Sequence, residues 1–283
     1  MASLSIVTPV LNSRNFVEQL LESVAALSTP HEHLVMDGAS TDGTVEVLEG
    51  RTDPSLTWVS EPDRGQTDAV NKALARVTGD YVNWVNADNA YVPDAVDRAV
   101  DLLEADPGLM AVFGGIDIID EAGGLRRRYI PGAYSWQRYL FLGDYLPTET
   151  IIFRRSLLER NGLLDPRFED AADYDFYLRL FHGRRVERMA DVMLRFRYHP
   201  ASKTALDQGR GQREALEIRL KWARHSRDAR LMRAIDESKQ GLFRIVGPWP
   251  PNRHVTRIVD DAAALRERRA HPPIESSAAE ARA

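Results

Sequence analysis

The sequence contains no cysteine among its 283 residues. Disulfides, zinc–thiolate centres and cysteine nucleophiles are therefore excluded. No stretch approaches the roughly 20 consecutive apolar residues that a membrane-spanning helix requires. The chain opens on a strand-like run, Leu4–Leu11, without the basic start and longer apolar core of a secretory signal. From these absences we expect a soluble, cytoplasmic protein.

Glycine-rich phosphate loops are also missing. The turn after the first apolar run reads TPVLNSRNF, from Thr8 to Phe16, and contains neither G-x-G-x-x-G nor G-x-x-x-x-G-K-[ST]. A dinucleotide-dependent dehydrogenase and a P-loop kinase are both disfavoured, because each relies on backbone amides of such a loop to bind phosphate.

An excess of positive charge is absent as well. The chain has 37 lysines and arginines against 42 acidic residues, a net charge of −5, which argues against a dedicated nucleic-acid-binding protein. The segment Lys203–Ala270 is nevertheless basic, with 16 lysines and arginines against 9 acids. This segment is typical of a solvated arginine-rich helix, and contact with an anionic membrane surface or a phosphorylated acceptor is the alternative.

What the first half does contain is a regular alternation of strands and helices. The near-continuous apolar run Ser3–Leu11 predicts a buried strand, and apolar residues at helical spacing follow it. Further strands are predicted at His33–Asp37, Thr57–Glu61, Tyr81–Val85 and Met110–Ile119, with helices at Gln66–Val77 and Pro93–Leu103. Such alternation predicts an α/β fold with a mainly parallel sheet and helices on both faces.

The second half is less regular. Helices are predicted at Trp136–Leu142, Arg155–Arg160, Tyr174–Phe181, Leu206–Ile235 and Val255–Arg269, and strands at Thr150–Phe153 and at Val186–Tyr198, the latter with a turn near Asp191. We therefore divide the chain into a domain over residues 1–205, with halves at 1–120 and 121–205, and a helical extension over 206–270. The small, polar tail 271–283 is expected to be disordered.

Polar side chains follow four neighbouring strands. They are Asn12 after the first, Asp37 after the second, Asp63 after the third, and Asn86, Asp88 and Asn89 after the fourth. Each acid alone is explained equally well as a turn former or a helix cap. In parallel sheets, however, ligands bind beyond the carboxyl ends of the strands. Together these residues predict a site in which oxygen ligands hold a divalent cation against a diphosphate.

Four segments of the sequence resemble family-2 glycosyltransferases of the GT-A fold, in particular those that assemble surface polysaccharides and glycolipids. They are SIVTPVLNS near the N-terminus, DGASTDGT from Asp37, SEPDRGQTDAVNKALARVTGDYVNWVNADNAYVPDA from Ser60, and ETIIFRRSLLERNGLLD with DYDFYLRL after Glu149. The resemblance implies a Rossmann-like GT-A domain that binds a nucleotide sugar through residues 1–120 and an acceptor through residues 121–205.

The resemblance also implies roles for single residues at the nucleotide. The residues expected to contact the base, ribose or other parts of the donor are Thr8, Pro9, Asp37, Asp63, Asn71 and Lys72. Gly38 stands where many relatives carry a second acid, which leaves Asp37 as the acid of that pair.

The segment Asn86-Ala87-Asp88 takes the place of the D-x-D motif of these enzymes. The resemblance implies that Asp88 binds Mg²⁺ or Mn²⁺ on the donor's diphosphate, and that Asn86 contacts the ribose or a metal-bound water. His199 is expected to complete the metal site, a structural histidine being the alternative, with Lys203 near the phosphates. Asn89 replaces the acid that often follows the motif, so weaker metal binding is expected.

Asp173, the first acid of DYD, matches the general base of the family, and direct attack by the acceptor would invert the anomeric centre. Asp170 and Glu169 are the reserve candidates. A helix cap is the alternative role for Asp173. Glu149 is expected to bind an acceptor hydroxyl, with an exposed acid at a strand start as the alternative.

The resulting prediction is a metal-assisted, inverting transferase that uses a nucleotide-diphosphate sugar and a glycan, glycolipid or small-molecule acceptor. Two other classes stay open. A sugar nucleotidyltransferase would want a basic, glycine-rich loop after the first strand, which the sequence lacks. A non-catalytic module that binds a sugar nucleotide or a glycan is compatible with amides at Asn86 and Asn89.

Overall fold

The computed structural model describes residues 3–142, 146–200, 202–203 and 209–225, which all belong to one compact unit. Its strands are Leu4–Val10 (β1), His31–Asp37 (β2), Leu56–Ser60 (β3), Tyr81–Trp84 (β4), Ala90–Tyr91 (β5), Ala111–Ile119 (β6), Leu125–Tyr129 (β7), Ile152–Arg154 (β8) and Val186–Arg197 (β9). The helices are Val17–Ala25 (α1), Thr44–Glu49 (α2), Gln66–Leu74 (α3), Pro93–Ala105 (α4), Trp136–Leu142 (α5), Ser156–Asn161 (α6), Ala172–Phe181 (α7) and Arg210–His225 (α8), and a 3-10 turn covers Thr148–Thr150.

The strands form one mixed sheet in the order β3-β2-β1-β4-β8-β6-β9-β5, with β7 beside β6. Strands β1 to β4 are parallel, as are β6 and β9. Strand β8 lies antiparallel between β4 and β6. The predicted α/β fold with a mainly parallel sheet is therefore confirmed. The carboxyl ends of β1, β2, β3 and β4 meet at one edge, which we call the donor edge.

Three local details differ from the sequence prediction. The strand predicted from Thr150 begins at Ile152, because the 3-10 turn precedes it and Thr150 bonds back to the Pro147 carbonyl at 2.9 Å. No turn interrupts β9 near Asp191; the pairing of β9 with β6 shifts register around Gly115 instead. Strands β5 and β7 were not predicted, since one has two residues and the other, LRRRY, lacks an alternating apolar pattern.

Helices cover both faces of the sheet. On one face, Val17 and Leu21 of α1 pack with Leu48 of α2 against Val10 and Val35 of the sheet. On the other face, α3 and α7 pack with β4 and β8 in a larger core that includes Val70, Phe153, Tyr177 and Phe181. Because these apolar faces are covered, polar groups of the strands are left at the strand ends, where a ligand can reach them.

Helix α8 closes the described part of the chain and lies within the helix predicted at Leu206–Ile235. Its Ile218 is buried in the larger core, and the ring of Trp222 lies 5.3 Å from that of Trp136. The rest of the predicted extension, including Val255–Arg269 and the tail 271–283, lies outside the described residues. Within the described ranges, no helix is long and apolar enough to cross a membrane.

Candidate active site at the strand ends

Asp37 ends β2 with only 2% of its surface exposed. Its Oδ2 accepts hydrogen bonds from the Ser40 amide at 3.0 Å and from the Ser60 hydroxyl at 2.6 Å, and the Ser40 hydroxyl donates to Oδ1. A buried carboxylate needs such donors to offset its desolvation. Two nearby serines therefore fix Asp37 at the donor edge.

Asp63 lies directly over Gly38. A Cβ atom on Gly38 would come within 2.7 Å of Asp63 Oδ2, while Asp63 Oδ1 accepts from the Gly65 amide at 2.8 Å. Gly65 has a φ of +110°, which favours glycine. The Asp63 carboxylate thus occupies the space that a second acid after Asp37 would need, which explains the glycine at that position.

Thr8 and Pro9 are buried in β1. The Thr8 hydroxyl pairs with His33 Nε2 at 2.9 Å. Burial lowers the pKa of His33 to about 3, so the imidazole is neutral at physiological pH. Because the Thr8 hydroxyl is bonded to His33 in the interior, the predicted contact of Thr8 with a nucleotide base would have to use its backbone atoms. That role stays a prediction.

Asn71 and Lys72 of α3 already have protein partners. Asn71 donates to the Leu164 carbonyl and accepts from the Leu164 amide, both at 2.9 Å. Lys72 Nζ forms ion pairs with Glu61 at 2.8 Å and with Asp68 at 3.5 Å. These partners neither establish nor exclude contacts with a donor, so the predicted donor contacts also stay predictions.

Asp88, which follows β4, and His199, which follows β9, lie next to each other. Their predicted role as metal ligands stays a prediction. His199 Nε2 lies 3.2 Å from Asp88 Oδ2, and Asp88 Oδ1 is buried without a hydrogen-bond partner among the described residues. Ala87 packs in the core between the polar positions of the motif. Among the described residues, no three acids or histidines form a complete metal cage. The arrangement fits a divalent cation that takes its remaining ligands from phosphate and water.

Glu149 reaches the motif from the 3-10 turn and is 8% exposed. Its Oε1 accepts from Asn86 Nδ2 at 2.8 Å, and its Oε2 accepts from the Asn86 amide at 2.8 Å and from Asn89 Nδ2 at 2.6 Å. Burial, reinforced by the charge of Asp88, raises the pKa of Glu149 to about 8. Both carboxyl oxygens of Glu149 are therefore bonded to the motif, and the predicted contact with an acceptor hydroxyl stays a prediction.

Arg197, the last residue of β9, holds the same loop from the other side. Its backbone amide donates to Asn89 Oδ1 at 2.7 Å, and its Nε donates to the Asp88 carbonyl at 3.0 Å. The guanidinium also lies 5.1 Å from the ring centre of Phe16. Although Arg197 is only 4% exposed, the Asp88 carbonyl and the Phe16 ring offset the burial of its charge. The motif is therefore held between β9 and the 3-10 turn.

Asp173 lies in the first turn of α7. The Thr148 hydroxyl donates to its Oδ2 at 3.2 Å, and the Tyr174 amide donates to its Oδ1 at 2.8 Å. Desolvation raises the pKa of Asp173, although these hydrogen bonds and the charge of Lys203 oppose the shift. A carboxylate with a raised pKa is a better proton acceptor than an ordinary surface aspartate.

Lys203 joins the donor edge to the loop that precedes α7. Its ammonium donates to Gln66 Oε1 at 3.0 Å and to the Glu169 carbonyl at 2.6 Å. Gln66, in turn, donates to Asn86 Oδ1 at 2.6 Å. Lys203 is thus linked to Asn86 through Gln66, and its predicted place near the phosphates stays a prediction.

The reserve candidates for the base are both paired with cations. Glu169 lies 3.2 Å from Lys203, and Asp170 accepts from Arg210 Nη2 at 2.7 Å. The hydrogen bonds from Arg210, followed by the charge of Lys203, lower the pKa of Asp170. Of the two aspartates, Asp173 is the one whose surroundings raise its pKa.

Helix α8 supplies an anion to the start of α7. Glu214 Oε2 accepts from three consecutive backbone amides, those of Glu169, Asp170 and Ala171, at 3.0, 2.8 and 2.9 Å. A carboxylate is favourable at this end of a helix because unpaired amides and the helix dipole converge there. Glu214 therefore fixes the loop that carries the candidate base.

Three of these residues were missed by sequence analysis. Gln66 opens a helix after a glycine, Arg197 ends an ordinary strand, and Glu214 lies on a polar helix surface. No local pattern distinguishes them from solvent-exposed residues, because their roles depend on partners that are distant in sequence.

Comparison with known sequences places this arrangement in a family. The model of the family described as "Glycosyl transferase family 2" matches residues 5–162. An uncharacterised glycosyltransferase of Mycobacterium tuberculosis strain H37Rv is 32% identical over 181 residues, which cover 62% of this chain and 68% of the relative. Chondroitin synthase of Escherichia coli is 28% identical over 184 residues, which cover 62% of this chain but 26% of that enzyme.

Solved structures share the fold at lower identity. TarS 1-349 of S. aureus, in complex with UDP-GlcNAc, superposes with a TM-score of 0.64 at 18% identity, over 78% of this chain and 66% of that one. The mannosyltransferase PcManGT of Pyrobaculum calidifontis, in complex with GDP-Man and Mn²⁺, gives 0.57 at 22% identity, over 93% and 80% of the two chains.

Proposed function

Because this chain belongs to glycosyl transferase family 2 and is a glycosyltransferase, we propose that it transfers a sugar from a nucleotide-diphosphate donor to an acceptor hydroxyl with inversion. The donor class is supported by the UDP-GlcNAc and GDP-Man that proteins of the same fold bind. It is supported equally by the polar edge at the ends of β1 to β4.

At that edge, Asp88 and His199 would hold Mg²⁺ or Mn²⁺. When bound, the cation supplies Lewis-acid stabilisation of the departing diphosphate. Lys203 would add a positive charge near the phosphates. The remaining donor contacts are proposed for Thr8, Pro9, Asp37, Asp63, Asn71, Lys72, Asn86 and Ala87.

Asp173 would accept the proton of the acceptor hydroxyl. Its raised pKa brings the carboxylate closer to the pH at which a general base works best. A hydroxyl activated on the side of the sugar opposite the diphosphate attacks the anomeric carbon directly, which inverts its configuration.

One turn carries this proposal. Thr148 bonds to Asp173, and the next residue, Glu149, bonds to Asn86. Consecutive Cα atoms are about 3.8 Å apart, so the candidate base and the metal motif are bonded to adjacent residues of one turn. This juxtaposition is what direct displacement requires of an acceptor base and a leaving group.

Two substitutions test the assignment. Asp88→Ala should abolish the Mn²⁺-dependent part of UDP or GDP binding in isothermal titration, because it removes the carboxylate whose Oδ1 has no partner among the described residues. Asp173→Asn should leave nucleotide affinity unchanged but lower nucleotide release from a sugar donor, with a panel of glycan acceptors, by about 100- to 10,000-fold. The exposed Asp101→Asn on α4 is the matched control and should change neither quantity.

Other outcomes identify the other classes. Near-normal turnover by Asp173→Asn would refute its role as base. Release of pyrophosphate from a nucleoside triphosphate and a sugar phosphate would indicate a nucleotidyltransferase. Nucleotide binding without turnover of any donor would indicate a binding module.

The acceptor side of the proposal is broader. A glycan or glycolipid of surface-polysaccharide assembly, or a small molecule, would approach Asp173 from residues 121–205. Peripheral contact between the basic segment Lys203–Ala270 and the inner face of the membrane stays a prediction, as does a cytoplasmic location. Most of that segment lies outside the described residues.

A further inference from the structure

We propose that Glu149 is a positioning residue for Asp88, and that amides are required at positions 86 and 89 because this buried carboxylate lies behind them. The inference rests on the donor site proposed above. Asn86 and Asn89 depart from the acidic motif of related enzymes, which by itself would indicate weaker metal binding. The inference explains them instead as partners of Glu149.

Asn86 uses both ends of its amide. Its Nδ2 donates to Glu149 Oε1 at 2.8 Å, while its Oδ1 accepts from Gln66 Nε2 at 2.6 Å and from Trp84 Nε1 at 3.2 Å. A carboxylate could take over the accepting half of this pattern but not the donating half. An acid at position 86 would place its second oxygen against the oxygen of Glu149.

Asn89 has the same dual use. Its Nδ2 donates to Glu149 Oε2 at 2.6 Å, and its Oδ1 accepts from the Arg197 amide at 2.7 Å. Both groups are buried, so repulsion between two carboxylates here would be poorly screened by water. Against an ionised Glu149, each asparagine therefore fits the site only as an amide.

The consequence falls on Asp88, which lies between the two asparagines. Glu149 holds Asn86 and Asn89 on either side of Asp88, and Arg197 Nε donates to the Asp88 carbonyl at 3.0 Å. Backbone motion at Asp88 is thus restricted from three directions, while Asp88 Oδ1 is buried without a partner among the described residues. Glu149 acts through this arrangement, since both of its oxygens are occupied by the loop.

A polarity swap tests this geometry. In Asn86→Asp combined with Glu149→Gln, the new glutamine can donate from the Oε1 position to the new aspartate. Its carbonyl oxygen, at the Oε2 position, still accepts from the amide of residue 86 and from Asn89. The pair Asn89→Asp with Glu149→Gln is the control, because the atom at the Oε2 position must also accept from a backbone amide, so it cannot become a donor.

The readouts are the Kd of UDP or GDP with and without Mn²⁺ and the midpoint of thermal unfolding. Removing a group that orients a metal ligand typically weakens metal affinity about 10- to 100-fold, and we expect this for the Mn²⁺-dependent affinity of Glu149→Gln, Asn86→Asp and Asn89→Asp. The swap at position 86 should restore affinity to within about threefold of the original chain, whereas the swap at position 89 should not.

Several outcomes would overturn the inference. One is an unchanged Mn²⁺-dependent affinity in the single variants. Another is a swap at position 86 whose loss of affinity equals the sum of the two single losses. A third is equal recovery of affinity in the swaps at positions 86 and 89. A Glu149→Gln variant that changes only the KM for the acceptor would likewise refute it. If single variants do not fold, a folded swap at position 86 supports the inference and an unfolded one refutes it. An unchanged Kd in Asp88→Ala would instead refute the underlying metal site.

Discussion

The donor edge and the loop before Asp173, which we call the acceptor edge, are held in place by different parts of the chain. At the donor edge, Asp37 is fixed by Ser40 and Ser60, 3 and 23 residues away. At the acceptor edge, the loop before Asp173 is fixed by Lys203 and Glu214, at separations of 34 to 45 residues. The first set comes from the loop after β2 and from the end of β3. The second comes from the segment that leads into α8 and from α8 itself.

This difference separates two parts of the reaction. The proposed nucleotide contacts are made by residues at the ends of paired strands. The geometry of the proposed base depends on how α8 packs against α7, where Lys221 also pairs with the fully buried Asp175 at 3.0 Å. Changes in α8 should therefore alter transfer to the acceptor while leaving donor binding intact.

The largest effect that tests this difference between the two edges is expected at Glu214. In Glu214→Ala, three backbone amides lose a charged partner, and we expect the free energy of unfolding to fall by about 2–3 kcal/mol. Turnover at saturating donor should also fall, because the loop next to Asp173 is released. The Kd for the nucleotide with Mn²⁺ should not change. Denaturant unfolding, titration calorimetry and donor turnover measure the three quantities.

The exposed Glu217 lies one turn along α8 and provides the control. Glu217→Ala should leave stability and turnover near those of the original chain. A Glu214→Ala variant with a weaker nucleotide Kd and normal turnover would show that α8 serves the donor edge instead.

The same difference explains how much could be predicted from sequence. Strands β1 to β4 and the placement of Asp37, Asp63 and Asp88 follow from apolar patterns and strand ends, which are local features. The pairing of Asp88 with His199 followed only from resemblance to a family, since 111 residues separate them.

Glu149 shows why the remainder could not be predicted. Its position before an apolar run predicted a strand start with either an acceptor contact or an exposed acid, but a 3-10 turn buries its carboxyl behind Asn86. Turn conformation and desolvation are tertiary effects, and neither leaves a periodic pattern in the sequence. The capping of α7 by Glu214 was missed for the same reason, because residues 169–171 are 43 to 45 positions away.

A pH-dependent effect of intermediate size on the free energy of unfolding is expected at His33 in β2, below the donor edge. His33 has a pKa of about 3 in the folded protein because it is buried, whereas the unfolded chain protonates it near pH 6.5. Below pH 6.5 the unfolded state therefore gains a proton that the folded state does not, and the contribution to stability falls by about 1.4 kcal/mol per pH unit.

Comparison with His33→Gln isolates this contribution. Glutamine can still bond to the Thr8 hydroxyl but does not titrate, so its unfolding free energy should fall less steeply between pH 6.5 and 5. The carboxyl of Glu149, with a raised pKa of about 8, acts in the opposite direction in both proteins, since stability from it grows as pH falls below 8. Equal slopes for the two proteins would refute a neutral, buried His33.

The smallest effect is expected at Ser60, and it sharpens the comparison most directly. Ser60→Ala removes one of the hydrogen bonds to Asp37, so we expect a loss of about 1 kcal/mol in stability and a nucleotide Kd raised by up to about fivefold. Ser55→Ala is a matched control, because its hydroxyl bonds to Asp53 at 2.8 Å just before β3 begins, at the opposite end of that strand. It should cost similar stability and leave the Kd unchanged. If Ser60→Ala lowered turnover at saturating donor as Glu214→Ala is expected to, the two edges would not be independent.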